Sequence, residues 1–173
     1  LKCLKIFHQV ADYITINISS PNTENLRKFH DQDQLDNLLK NIEKEKKNLS
    51  SNIPIVVKVS PDITDAEIDQ ISNVLLSNNI NGIIVSNTSD SSRENLANIQ
   101  KYQKGGLSGK PIETKSTILI NKFYKLLKGK IKIIGVGGVD SGISAYDKFI
   151  AGANYVQLYT GMVYRGPNIV SMI

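Results

Sequence analysis

Tyr13-Ile14-Thr15-Ile16-Asn17-Ile18-Ser19-Ser20-Pro21-Asn22-Thr23 passes from a β-branched, apolar run into a knot of amide and hydroxyl side chains. The first part suits a strand, and the second stops it while gathering polar groups where it ends. The pattern recurs along the chain: Ile55 to Val59, Gly82 to Ser86, Ile131 to Val136 and Asn154 to Tyr159 are apolar runs that also lead into small polar or glycine residues. Near-continuous apolar strands predict a buried parallel sheet. Polar groups collected at strand C-termini are where a parallel α/β barrel does its chemistry.

Amphipathic segments separate these strands, as crossover connections require. Leu35, Leu38, Leu39 and Ile42 recur at helical spacing, as do Ile68, Ile71, Val74 and Leu75, and then Ile118, Leu119, Phe123, Leu126 and Leu127. Thr64-Asp65-Ala66-Glu67 reads as a capping box opening the second helix, and Lys128-Gly129 closes the third. A fourth helix is expected from about Ser141 to Ala151, stopped by Gly152, with Phe149 and Ile150 turned inward. One connection breaks the rhythm of short loops. From Asn87 to about Pro111 it is long, polar and glycine-containing, and we expect it to close over a site.

The chain has 173 residues, 40% of them apolar, which is enough for one core. A complete eight-fold barrel needs about 250 residues. The chain starts at Leu1 and stops at Ile173 as a new helix begins, so we expect one partial barrel domain over residues 1–173, cut at both ends. Its net charge of +5 comes from lysines on helix faces, such as Lys44, Lys46, Lys47, Lys122, Lys125 and Lys128. They are not interleaved with exposed aromatics, so no nucleic-acid partner is expected. A single cysteine, Cys3, rules out an internal disulfide. No apolar run approaches the about 18 residues that span a bilayer.

Lys58 interrupts Ile55-Val56-Val57-Lys58-Val59. A buried ammonium there either meets an anion, shifts its pKa or snorkels from the strand end. Gly135-Val136-Gly137-Gly138 and Tyr159-Thr160-Gly161 offer open backbone N–H groups after two strands, a setting for phosphate. A dinucleotide motif is not met, because the third glycine position holds Asp140 and Gln157-Leu158-Tyr159 supplies no acidic ribose ligand. Asn17, Asn22, Asn87 and Thr88 can be turn-formers or can bind a planar polar ring. Paired carboxylates and metal-ligand clusters are missing. His8, in a helix, and His30, in a charged loop, read as structural or solvent-facing.

Six blocks in order, Asn17-Ile-Ser-Ser-Pro-Asn-Thr23, Val57-Lys-Val-Ser-Pro-Asp62, Ser86-Asn-Thr-Ser89, Gly105-Gly-Leu-Ser-Gly-Lys-Pro111, Ile134-Gly-Val-Gly-Gly138 and Val156-Gln-Leu-Tyr-Thr160, resemble the dihydroorotate dehydrogenases over essentially the whole chain. The serine at position 20 matches the quinone-dependent class 2 branch, whose catalytic base is a serine where class 1 has cysteine. The resemblance implies a (β/α)8 TIM barrel, of which this chain holds strands four to eight with their helices. It further implies an FMN cofactor and oxidation of dihydroorotate to orotate in pyrimidine biosynthesis, with quinone as acceptor.

Carried over by position, the resemblance gives Ser20 as base, relayed through Thr23 or water, and Asn17, Asn22, Asn87 and Thr88 as substrate ligands. Asn17, Lys58, Ser86, Ser108, Gly109, Gly137, Gly138, Tyr159 and Thr160 become flavin-binding positions, and no metal is implied. Ser86 stands where the family often has threonine. The first three strands and the N-terminal extension that faces the quinone and the membrane are not in this sequence. The missing barrel segment is therefore an implied partner, and the complete protein is expected on a bacterial or mitochondrial inner membrane. Two other readings stand beside this one. The first is a non-catalytic remnant of such an enzyme. The second is a tRNA dihydrouridine synthase, which would want a cysteine near the flavin where Cys3 is badly placed.

Overall fold

A computed structural model describes residues 1–20, 26–91 and 93–173. Five parallel strands, β1 (Ile14–Asn17), β2 (Ile55–Val59), β3 (Gly82–Val85), β4 (Lys132–Val136) and β5 (Tyr155–Gln157), lie side by side in chain order. Helices α2 (Gln32–Asn48), α3 (Asp65–Ser77), α4 (Glu113–Leu127) and α5 (Gly142–Ile150) make the crossovers between them. A short α1 (Lys2–Phe7) precedes the sheet, and α6 (Thr160–Arg165) and α7 (Ile169–Met172) follow it. β2 matches its apolar run residue for residue, and the other four strands are one to three residues shorter than theirs, trimmed at one or both ends.

Alternation along the strands sorts the two faces of the sheet. Ile55, Val57 and Val59 of β2, with Ile83, Val85 and Ile133, pack against Leu35, Leu39, Ile71, Leu75 and Phe123 in one continuous core. Val56 and Lys58 point the other way, in register with Gly82 and Ile84 of β3. That second face is concave. In a flat sheet four inter-strand steps would separate β1 from β5 by about 19 Å. Here Gln157 Nε2 at the end of β5 donates to the Tyr13 hydroxyl beside β1 at 3.3 Å, so the sheet is curled into an arc.

The local signals for the helices are largely realised. Thr64 caps α3, accepting from Glu67 N–H at 3.3 Å while Glu67 Oε2 accepts from Thr64 N–H at 2.7 Å, the reciprocal box expected from Thr64-Asp65-Ala66-Glu67. Lys128 takes the left-handed conformation that ends α4.

Three expectations need correction. Phe149 and Ile150 are 44% and 68% exposed, because Ala145 and Lys148 form the inward stripe of α5 and the next two residues rotate away from it. In α4 the buried stripe is Ser116, Leu119, Ile120, Phe123 and Leu127, which leaves Ile118 and Leu126 on the outer side. His30 does not sit in an open loop. It ends the 3₁₀ turn Leu26–His30, is 4% exposed and has Nδ1 3.7 Å from Glu67 Oε1.

Lys148 is fully buried, and its Nζ donates to the Glu113 carbonyl at 2.9 Å and to Thr117 Oγ1 at 2.7 Å, tying α5 to the first turn of α4. Burial pushes the amine down from 10.5 to about 8, against the pull of Glu113 and Asp147. Between those values the unfolded chain holds the proton that the folded chain has released, so stability rises with pH across that window. Urea unfolding of the complete protein should show wild type gaining on Lys148→Met by up to about 1.4 kcal/mol per pH unit there. Parallel pH profiles for the two proteins would contradict this.

Candidate functional site

Polar groups converge where the strands end. A cleft of about 720 Å³ opens there, between the ends of β2, β3, β4 and β5 and the long connection from β3 to α4. Lys58 enters it from the concave face of β2, and Ser86, Asn87 and Thr88 from the end of β3. Ser108 and Gly109 close one side. Gly137 and Gly138 after β4, and Tyr159 and Thr160 after β5, close the other. Ten residues singled out from sequence thus line one cavity. Gln157, Leu158 and Val136 line it as well and were not singled out as site residues.

The remaining candidates sit at the neighbouring strand end. Asn17 closes β1 beside Lys58 in the register, and Ser20 is half-buried just beyond it; neither belongs to the cleft lining. They join the cleft through Ser19, a fully buried residue that the sequence reading gave no role. Asn17 Oδ1 accepts from Ser19 N–H at 3.2 Å and from Ser19 Oγ at 2.7 Å, and Asn87 Nδ2 donates to the same Ser19 Oγ at 3.0 Å. Thr88 N–H donates to Asn87 Oδ1 at 2.8 Å. Asn22 and Thr23 lie outside the described residues. Cys3 is exposed on α1 and outside the cleft lining.

The long connection is held at its neck. Ser89 and Leu107 form an antiparallel bridge, with N···O distances of 3.0 and 2.6 Å. Only glycine fits at 106, where an added Cβ would fall 1.9 Å from Thr88 Oγ1. Asp62, at the end of the β2 block, receives Ser89 Oγ at 2.6 Å, Asp90 N–H at 2.9 Å and the Lys115 ammonium from α4. Burial works to raise its pKa, and these donors outweigh it, holding the carboxyl well below the usual carboxylate range. Beyond the neck, Arg93 donates to the carbonyls of Gln103 and Gly105, so the outer part of the loop bonds to itself. Ser108 Oγ then accepts from Thr160 Oγ1 at 2.9 Å, joining the loop to the start of α6.

Electrostatically the cleft is donor-rich. Lys58 is the one charged side chain among its lining residues, and no hydrogen bond or ion pair reaches its ammonium among the described residues. Burial lowers its pKa. Gly137 and Gly138 hold positive φ of 119° and 79°, a path that exposes backbone between the side chains. A lone half-buried cation facing backbone and hydroxyl donors fits an anionic ligand.

A curled parallel sheet with crossover helices and a polar cleft at its strand C-termini places the chain in the α/β-barrel fold class. The match to known proteins narrows this. The family model described as dihydroorotate dehydrogenase covers residues 1–173, and the chain belongs to that family. Among curated relatives, the dihydroorotate dehydrogenase (quinone) of Chromobacterium violaceum is 43% identical over 174 residues, covering 98% of this chain and 51% of the relative. That of Haemophilus ducreyi is 46% identical over 173 residues, covering 97% and 51%. The crystal structure of dihydroorotate dehydrogenase from Eimeria tenella in complex with ferulenol superposes with a TM-score of 0.95 at 34% identity, over 99% of this chain and 50% of that one. The chain therefore spans about half the length of the relatives it matches. Among the described residues no helix is long and apolar enough to cross a membrane.

Proposed function

We propose that the complete protein carrying this chain binds FMN and oxidises dihydroorotate to orotate, with a quinone as the final acceptor at a membrane surface. Lys58 carries the reading: a half-buried ammonium with no partner among the described residues, facing a cleft otherwise walled by neutral donors. Such a site is complete only with an anion in it. The quinone-dependent naming of the relatives supports the acceptor, and their length supports a further segment that completes the barrel.

In this reading Gly137, Gly138, Tyr159 and Thr160 would hold the phosphate through backbone N–H groups, and Ser86, Ser108, Gly109 and Asn17 would bound the ring. Lys58 would supply a positive charge to the reduced, anionic form of the group. FMN, when bound, supplies the two-electron acceptor for the hydride that leaves C6 of dihydroorotate. Ser20 takes the proton from C5. A serine hydroxyl is a weak base, so the proton must pass on, through Thr23 or an ordered water, in a site closed to bulk solvent. Asn17, Asn22, Asn87 and Thr88 hold the pyrimidine ring and its carboxylate.

Anaerobic mixing of the complete, flavin-loaded protein with dihydroorotate should bleach the flavin, and added quinone should restore its colour. A flavin that stays oxidised would overturn the assignment. Within it, Lys58→Ala should lower flavin content or slow bleaching while circular dichroism reports an unchanged fold. A variant that keeps its flavin and reacts at the wild-type rate would mean that Lys58 merely snorkels.

A further inference from the structure

The buried hydroxyl of Ser19 touches two asparagines from different strands, and the directions of its bonds are forced. A backbone N–H can only donate, so the Asn17 atom facing Ser19 N–H is the carbonyl oxygen, and the Asn87 atom facing Thr88 N–H is likewise Oδ1. Asn87 therefore turns Nδ2 to Ser19 Oγ, which accepts, and the single Ser19 hydroxyl proton goes on to Asn17 Oδ1. Both amide oxygens are consumed internally. Among the described residues, Asn17 keeps both Nδ2 protons and Asn87 keeps one. Together with Lys58, this gives that end of the site a surplus of donors.

We propose that Ser19 is a positioning residue: it locks Asn17 and Asn87 as donors and thereby selects a planar ring that presents carbonyl and carboxylate oxygens. This rests on the dihydroorotate reading above and adds the group that sets its polarity. Without the hydroxyl each amide keeps only its backbone anchor, Ser19 N–H for Asn17 and Thr88 N–H for Asn87, and loses the second bond that fixes its angle toward the ring. Position 19 is sealed from solvent, so its effect on a ligand passes through the two amides.

The test uses the complete flavin-loaded protein, with orotate as the probe and the shift of the flavin absorbance as the readout. Ser19→Ala should stay folded and flavin-loaded, with a modestly lower melting temperature, yet bind orotate about 10-fold or more weakly, with KM for dihydroorotate rising more than kcat falls. Ser19→Cys keeps the size with a weaker donor and should fall between the two. In an Asn87→Ala background, removing Ser19 should cost less than it does in wild type, because only its action through Asn17 remains. Wild-type orotate affinity in either Ser19 variant that holds flavin, or full additivity with Asn87→Ala, would overturn the role of Ser19 alone. A wild-type protein whose flavin spectrum ignores orotate would overturn the ring-binding reading and this one with it.

Discussion

Ser20→Ala in the complete, flavin-loaded protein is expected to slow reduction of the flavin by dihydroorotate about 10² to 10⁴-fold, the span over which general-base catalysis usually acts. Flavin content should hardly change, because the cleft that would hold the cofactor is lined from β2 to β5 and does not include Ser20. Ser20 follows Ile18 and Ser19, which are 1% and 0% exposed, so its backbone is fixed by a buried neighbour on the sheet side while its own side chain is only half-covered. Stopped-flow bleaching separates the proton-transfer step from binding. A wild-type reduction rate at saturating dihydroorotate would remove Ser20 from the mechanism.

The 173-residue chain expressed by itself is expected to yield no stable flavoenzyme. β1 and β5 each pair on one side only, so both sheet edges keep free backbone donors and acceptors. The concave face is covered unevenly: Val56 and Ile84 are buried on it, while Tyr155 at its β5 edge is 59% exposed. On α5 and α6, Ile143, Ile150, Val163 and Tyr164 are 77%, 68%, 68% and 84% exposed, large apolar side chains that favour association. We expect aggregation or loose packing, relieved by a separately supplied segment that covers the concave face. Size-exclusion chromatography with a flavin spectrum decides the matter. A monomer that is yellow and is bleached by dihydroorotate would show that the arc alone suffices.

Much of this was legible because it is local. Apolar runs set the strands, Thr64 to Glu67 set a helix start, and the residues just past each strand end could meet only at one end of a parallel sheet. What stayed hidden depends on partners far along the chain. Nothing in the sequence marks Lys148, whose acceptors at Glu113 and Thr117 come from another helix. Nothing marks Ser19 either, because Asn87 reaches it from the end of β3. The phase of α5 escaped because Phe149 and Ile150 are apolar enough to suggest a core face, and only packing of Ala145 and Lys148 fixes the rotation. For His30 the sequence left open a structural or a solvent-facing role, because its charged surroundings say nothing of α3, which brings Glu67 to it.

The loop between β3 and α4 is mechanically divided by its neck. Ser89, Leu107 and Asp62 clamp the base, and Arg93 stitches the outer part to itself. A change of length or sequence in the outer part is absorbed before it reaches Ser108 and Gly109, much as slack in a rope stops at a cleat. That makes the tip the natural place for drift among related chains, and a splice point where a peptide tag can be carried without moving the wall of the cleft.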